Sequence, residues 1–256
     1  MVQDHLGRTV NLQGTPMRII SLVPAITETM YHLGLEKNLV GRTRFCKFPK
    51  DKVKQALNIG GTKDIKLDRI HELKPDLIIA EKEENTKEIV ETLEQHYPVF
   101  VFEVQKIEHI YRMIHDLGKL TERYEPASEL INEIQTAYQA LPKANNKRVA
   151  YVIWKKPYMV VGKDTYIQSL LEELGFTNPF IQAVGRYPVV TVEDLRQAEL
   201  DEIFLATEPF PFREKHLEEF QALLPGVKPF IVDGEMFWYG AKMVEAAAYF
   251  RKLTEN

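Results

Sequence analysis

The sequence predicts an α/β fold of two lobes, each a mostly parallel sheet flanked by helices, joined by one long rigid helix. Three observations carry this expectation. The stretch Glu125 to Leu141, EPASELINEIQTAYQAL, holds no Gly, and its one Pro, Pro126, sits at the start, where a missing N–H costs little. On either side of it, short β-branched apolar runs alternate with amphipathic stretches. The two sides also share one internal pattern.

Residues 2–12 read as a hairpin-like entry turning at Leu6-Gly7-Arg8. Arg18 to Val23 is a buried strand ending at Pro24, and Ala25 to Leu33 is a helix stopped by Gly34. Leu39-Val40-Gly41 resumes a strand, Thr43 to Pro49 is an irregular loop, and Gly60 to Lys63 is a turn. Leu67–Leu73 is a short helix, Asp76 to Ala80 a strand, Thr86 to His96 a helix and Val99–Phe102 a strand. Ile107–Leu120 is amphipathic through Ile107, Ile110, Tyr111, Ile114 and Leu117. In the connecting helix Leu130, Ile131, Ile134, Ala137, Tyr138 and Leu141 recur at helical spacing, and Pro142 and Asn145-Asn146 close it. The second lobe reads as strand Arg148 to Trp154, helix Thr165 to Leu174, short helix Val192 to Ala198, strand Glu202 to Leu205, helix Glu214 to Leu223, strand Pro229 to Val232 and a closing helix Lys242 to Leu253. The expected domains are residues 1–106, a helical connection 107–146 containing the spine 125–141, and residues 147–256.

The lobes repeat one another. DRIHELKPDLII (68–79) aligns with EDLRQAELDEIF (193–204), each an acid opening a short helix, then a turn, an Asp and a buried strand. The acid sits where the helix dipole favours negative charge.

Composition narrows the function classes. Of 256 residues 45% are hydrophobic, enough for packed cores, and a net charge of −4 gives no reason to expect nucleic acid or an anionic membrane as partner. The single Cys46 excludes an intramolecular disulfide and a cysteine-cluster metal site. No apolar run approaches the length of about 20 residues that a membrane-spanning helix needs. The N-terminus lacks a basic stretch followed by an apolar one, so the chain as it stands is expected in the cytoplasm, or in the periplasm or at the cell surface if a leader has been removed.

In an open parallel sheet, ligands bind outside the carboxyl ends of the strands. The loops expected there combine aromatics with charges. Gly234 to Gly240 carries Glu235, Phe237, Trp238 and Tyr239; either these rings pack on the last helix and the sheet, or they form a flat ligand platform. Trp154-Lys155-Lys156-Pro157-Tyr158 is either a lysine-guarded edge or a second aromatic wall. Arg44 beside Phe45 and Phe48, and Arg186 beside Tyr187, pair a bidentate anion binder with a ring, although a plain surface Arg is the commoner case. Lys63 and Glu84 sit in two further loops; Glu81, Glu83 and Glu84 are a solvated acidic loop or a hard-cation site. Cys46 reads as a small buried hydrophobe before a nucleophile. No His pair lies at i,i+4 and there is no HExxH, so no protein-held metal and no required cofactor are expected.

The order SLVPAITET, GGT, LDRIHELKPDLIIA, central helix, GKDTYIQSLLEELGF and VTVEDLRQAELDEIFLA resembles the class III substrate-binding proteins of ABC importers, within them the cobalamin- and iron–siderophore-binding branch and a leaderless subgroup of it. The resemblance spans Arg18 to Leu253. It implies two lobes on one rigid helix, a monomer, and a planar cobalt or iron chelate held in an inter-lobe cleft lined by aromatic loops. It also implies docking to a permease through one carboxylate per lobe, which falls on Asp68 and Glu193. The cobalamin binders' Trp in the loop reading Gly60-Gly61-Thr62 is absent here.

Three functions follow. The first is a receptor for a corrinoid, haem or ferric siderophore, with Trp154, Tyr158, Tyr187, Phe237, Trp238 and Tyr239 against the chelate and Arg44, Lys63, Lys155 and Arg186 on its acidic groups. The second is an enzyme of small-molecule or chelate metabolism using Glu28, Glu84 or Glu235 as acid or base and Cys46 as nucleophile. The third is a docking or regulatory protein presenting Asp68 and Glu193.

Overall fold

The structure is a computed structural model and describes residues 1–255. It divides into two compact units. The first holds Met1–Val104, Glu108–Gln135 and Tyr239–Lys242; the second holds Gln105–Ile107, Thr136–Trp238 and residues 243–255.

In the first unit a small hairpin, β1 (Val2–Gln3) and β2 (Thr9–Val10), precedes the main elements. Gly7 takes a positive φ of 77° at its turn, a conformation open to glycine without strain. Then follow β3 (Ile19–Ser21), α1 (Pro24–His32), β4 (Leu39–Arg42), β5 (Leu57–Asn58), α2 (Leu67–Leu73), β6 (Leu77–Glu81), α3 (Lys87–Glu94), β7 (Val99–Phe102), α4 (Ile107–Leu120) and α5 (Tyr124–Gln139). The sheet runs β5-β4-β3-β6-β7 with every pair parallel. The inner strand β6 and the edge strand β7 are buried along their whole length, which is why Leu77 to Ala80 and Val99–Phe102 read as continuous apolar runs without alternation. Thr86 caps α3 by accepting from Ile89 N.

The second unit follows the same plan: β8 (Val149–Trp154), β9 (Tyr158–Val160), α6 (Tyr166–Glu173), β10 (Val189–Val190), α7 (Val192–Gln197), β11 (Glu202–Ala206), α8 (Lys215–Leu223), β12 (Lys228–Val232) and α9 (Lys242–Glu255). Its sheet runs β10-β9-β8-β11-β12, with β8, β11 and β12 parallel and β9 antiparallel to both neighbours. Numbered within each unit, both sheets have the order 3-2-1-4-5, the doubly wound order with a switch point beside its first strand. Val152, Val160, Leu195, Ile203, Leu205, Phe212 and Phe220 fill one side of the second core.

The structure departs from the sequence reading in places. β5, β9 and β10 are two or three residues long, too short for an alternation to register. Trp154 to Tyr158 is not an open loop but the tight turn of a β8–β9 hairpin, with Lys156 at φ 66°. The expected connection 107–146 is not a body of its own. Residues 108–135, most of α4 and α5, belong to the first unit, and the boundary falls inside α5 after Gln135. Residues 239–242, expected in the second lobe, belong to the first unit.

Candidate functional site

Each switch point puts two loops side by side at the carboxyl ends of neighbouring strands, where crossovers leave in opposite directions. In the first unit these follow β3 and β6. The β3 loop enters α1 at Pro24, whose missing N–H suits the first turn. The β6 loop is Lys82 to Asn85, and it is tied down from within. Asn85 Oδ1 accepts from Glu81 N (3.0 Å), and Asn85 Nδ2 donates to Thr62 O (2.9 Å), joining this loop to the Gly60–Lys63 turn. The Glu81 side chain is 3% exposed and accepts from the amides of Glu83 (2.8 Å), Glu84 (3.0 Å) and Val104 (3.2 Å). Burial pushes its carboxyl up to about 7, against the pull of those three hydrogen bonds and with the neighbouring Glu83 adding to the rise.

Beside these loops, Phe45 is 44% exposed and the Arg44 guanidinium lies 5.0 Å from its ring centre. Arg44 also meets Asp64 at 3.3 Å. A Cβ on Gly61 would lie 3.0 Å from Arg44 Nη2 and 3.3 Å from Phe45 Cε2, so glycine lets both side chains lie against the loop. Lys63 is exposed on the same turn and Glu84 half-buried on the other.

Phe48 is engaged. Lys242 Nζ sits 3.8 Å from its ring centre and 3.0 Å from Glu28 Oε1, and the Lys242 side chain is 2% exposed. Gly240, at φ 78°, brings the chain so close to α1 that a Cβ would fall 2.2 Å from Thr29 Oγ1, the atom that accepts from Ala241 N (3.1 Å). Glu28 is thus half of an ion pair and Cys46 is buried, its Sγ 3.1 Å from Thr27 Oγ1 and 3.3 Å from Thr43 Oγ1. Burial pushes the Cys46 thiol up, which disfavours the thiolate a nucleophile needs.

In the second unit the matching place lies between β8 and β11, where β8 leaves by its hairpin to β9 and β11 by a crossover to β12. Trp154, 40% exposed at the end of β8, meets Phe210 edge-on with ring centres 5.8 Å apart. Phe210 stands on Phe212 (4.6 Å) and His216 (5.7 Å). His216 Nδ1 accepts from Arg213 N (2.9 Å), and its pKa is lowered by burial and by Lys155. Lys155 and Tyr158 turn to Glu219: Lys155 forms an ion pair with it, and Tyr158 donates to it at 3.2 Å while packing on Phe220. That Lys155 hydrogen bond holds Glu219 below its usual value. The lysine is a strut of the hairpin in this structure, half of an ion pair and not an open cation.

The Gly234–Gly240 stretch splits. Phe237 is 3% exposed and packs on Tyr151 and Phe250, with ring centres 4.7 Å and 5.0 Å away; it is core, a correction to its expected place on a ligand. Trp238, half-buried, donates Nε1 to Glu208 Oε1 in the loop after β11. Glu235 is half-buried after Asp233, whose Oδ1 accepts from its amide, and Tyr239 is half-buried in the first unit. Arg186 donates Nε to Asp164 O (2.8 Å), and Tyr187 beside it is half-buried.

Asp68 and Glu193 are exposed in the first turns of α2 and α7. Glu193 lies 3.1 Å from Gln197 Nε2 and 3.6 Å from Arg196 Nη1. Among the described residues no group of three or more His, Cys, Asp or Glu is placed to hold a metal ion, and no helix is long and apolar enough to cross a membrane.

Sequence reasoning gave no role to Asn85, Glu208, His216 and Glu219, and read Glu81 only as one of an acidic loop. Their partners lie far along the chain, so spacing carried no signal, although Asn85 after a strand and before a helix cap was a visible turn residue.

This strand order, twice repeated, is that of a two-unit binding protein, and the comparisons agree. The periplasmic binding protein model matches residues 19–225, and the chain belongs to that family. A vitamin B12-binding protein of Vibrio campbellii is 29% identical over 194 residues, covering 73% of this chain and 70% of its own length. Among solved structures, the periplasmic haem-binding protein HutB of Vibrio cholerae superposes with a TM-score of 0.77 at 19% identity, over 94% of this chain and 99% of that one. An ABC-type Fe3+-hydroxamate transport protein of Saccharomonospora viridis does so at 0.75 and 21%, over 100% of this chain and 98% of that one. At these identities the structural likeness speaks for the fold.

Proposed function

We propose that the protein is a monomeric substrate-binding receptor for a planar or compact metal chelate, a corrinoid, haem or ferric siderophore, which it hands to an ABC permease. The observation that carries this is Trp154: a large ring left 40% exposed at the end of β8 in the second unit, held on edge by Phe210. Exposed aromatic area at a ligand-binding position is costly to leave in water and gains when a flat ligand covers it. Phe45 with Arg44 offers the same pairing in the first unit, ring for the macrocycle and guanidinium for a carboxylate or phosphate. Family membership and the relatives' ligands point the same way. The reading is one of binding without turnover; of the groups named for an enzyme, the nucleophile Cys46 is a buried thiol and Glu28 is an ion-paired carboxylate.

The test is titration of the protein with cyanocobalamin, haemin and ferrichrome, followed by visible absorbance and melting temperature. At least one should bind, raise the melting temperature and be recovered unchanged, and Trp154→Ala should weaken it by tenfold or more. No response to any of the three, or turnover of one, overturns the reading.

A further inference from the structure

We propose that Glu81 and Asn85 are positioning residues: together they form one buried knot that holds the switch-point loop Lys82–Asn85 of the first unit, and with it the Gly60–Lys63 turn after β5, in their binding conformation. The inference rests on the receptor reading for what the loops contact, but the knot itself is geometry within one unit.

Loops between strands and helices are ordinarily held by their ends and by solvent-facing turns. Here the fastening is internal. Three amides, Glu83 N, Glu84 N and Val104 N, converge on one carboxylate that water barely reaches. Two of them belong to the loop and the third to the segment leaving β7. Asn85, itself buried, extends the same knot to Thr62. Glu84 and Lys63, the residues of these loops expected at a ligand, therefore take their places from Glu81 and Asn85. A buried amide or carboxylate left unpaired is expensive, so the knot holds or opens as a whole.

The knot also responds to protons. The charged and titratable groups around Glu81 are Glu83 and Glu84 on its loop, the Lys82–Glu103 ion pair across the ends of β6 and β7, His5, whose Nδ1 accepts from Glu103 N, and Lys63 beside Thr62. The closed loop keeps Glu81 from water, and burial raises its carboxyl to about 7; an opened loop would hydrate it and return it to the ordinary carboxylate range. Closure therefore takes up a proton. Raising the pH from 6 to 8 shifts the balance towards the open loop by about tenfold. Where a chelate is bound only by the closed loop and the open form is populated, affinity falls with pH in the same sense.

The experiment is hydrogen–deuterium exchange of the peptides covering 60–64, 81–86 and 101–105 at pH 6, 7 and 8, corrected for intrinsic chemistry, in the wild type, Glu81→Gln and Asn85→Ala. The wild type should show opening that rises about tenfold across this range. Glu81→Gln, a neutral isostere of the protonated form, should remove the pH dependence at 81–86. Asn85→Ala should loosen 60–64 while leaving the pH dependence at 81–86. An equal pH slope in wild type and Glu81→Gln, or no loosening of 60–64 in Asn85→Ala, overturns the inference. A chelate titration at the same pH values separates this from the receptor reading. If no chelate binds but exchange behaves as stated, the knot stands and the receptor reading fails. If a chelate binds and exchange in Glu81→Gln keeps the wild-type slope, the receptor stands and the knot fails.

Discussion

Arg18 and Asp76 fasten the start of one strand to the start of another. The Asp76 carboxylate accepts from the amides of Met17 (2.8 Å) and Arg18 (2.9 Å), while the Arg18 guanidinium reaches Leu73 O (2.6 Å) at the end of α2. Arg148 and Asp201 repeat it in the second unit: Asp201 Oδ2 accepts from Arg148 N (2.7 Å), and Arg148 Nη2 donates to Ala198 O (2.7 Å) after α7. Lys74 (φ 45°) and Glu199 (φ 49°), aligned in the repeat, are both left-handed between helix and strand. Asp76 and Asp201 are aligned members of the internal repeat, so the duplication extends to hydrogen bonds. Asp76→Ala and Asp201→Ala should each destabilise their unit by about 1–2 kcal/mol, measured by urea unfolding, since each removes the charge-assisted hydrogen bonding of a carboxylate at a strand start. Equal stability in both variants would show that these bonds are redundant.

Lys242 and Glu28 predict a larger and non-additive effect. Removing Glu28 takes a carboxylate from a buried ammonium: the Lys242 side chain is 2% exposed, 3.0 Å from Glu28 Oε1 and 3.8 Å from the centre of the Phe48 ring. The expected cost is about 3–5 kcal/mol. The double variant Glu28→Gln/Lys242→Met should recover most of it, because no charge is then left buried. A double variant as unstable as the single one would rule out charge burial as the cause.

Stability should fall as pH rises from about 4.5 to about 7 through Glu81. Its value in the folded protein is raised from 4.5 to about 7, so the folded state holds the proton longer than the unfolded chain. The favourable term is complete below 4.5 and lost as pH passes 7, a swing of about 3 kcal/mol from this group. Other carboxylates, such as Asp116 held down by His5 and His115 against the effect of burial, change stability in the opposite sense at lower pH. The informative measurement is therefore the difference between wild type and Glu81→Gln in unfolding free energy at pH 5 and 8; a difference independent of pH would contradict the assignment.

Asp68 and Glu193 should matter for delivery and not for folding. Both are exposed, so Asp68→Lys with Glu193→Lys should leave the melting temperature within a degree or two while abolishing chelate-dependent stimulation of a reconstituted permease. Unchanged stimulation would remove them from the docking face.

The fold class, the two lobes, the repeat and nearly every long element were legible in the chain. Buried parallel strands announce themselves as unbroken apolar runs, and α2, β7 and α4 fall where the local pattern of apolar residues puts them. The site was legible only as loop composition. Phe237 and Trp238 are adjacent and both aromatic, yet one is core and the other bonds Glu208, a difference set by a 3-10 turn that no residue count reveals. Lys155, expected on a ligand's acidic groups, and Lys242, read only as the start of a helix, have ion-pair partners 64 and 214 residues away. What the sequence determined alone is whatever depends on near neighbours: strand, helix, cap and the order in which they recur. What only the tertiary structure decided is which charges are spent on one another and which rings remain open, because burial and pairing depend on residues that the chain brings together from far apart.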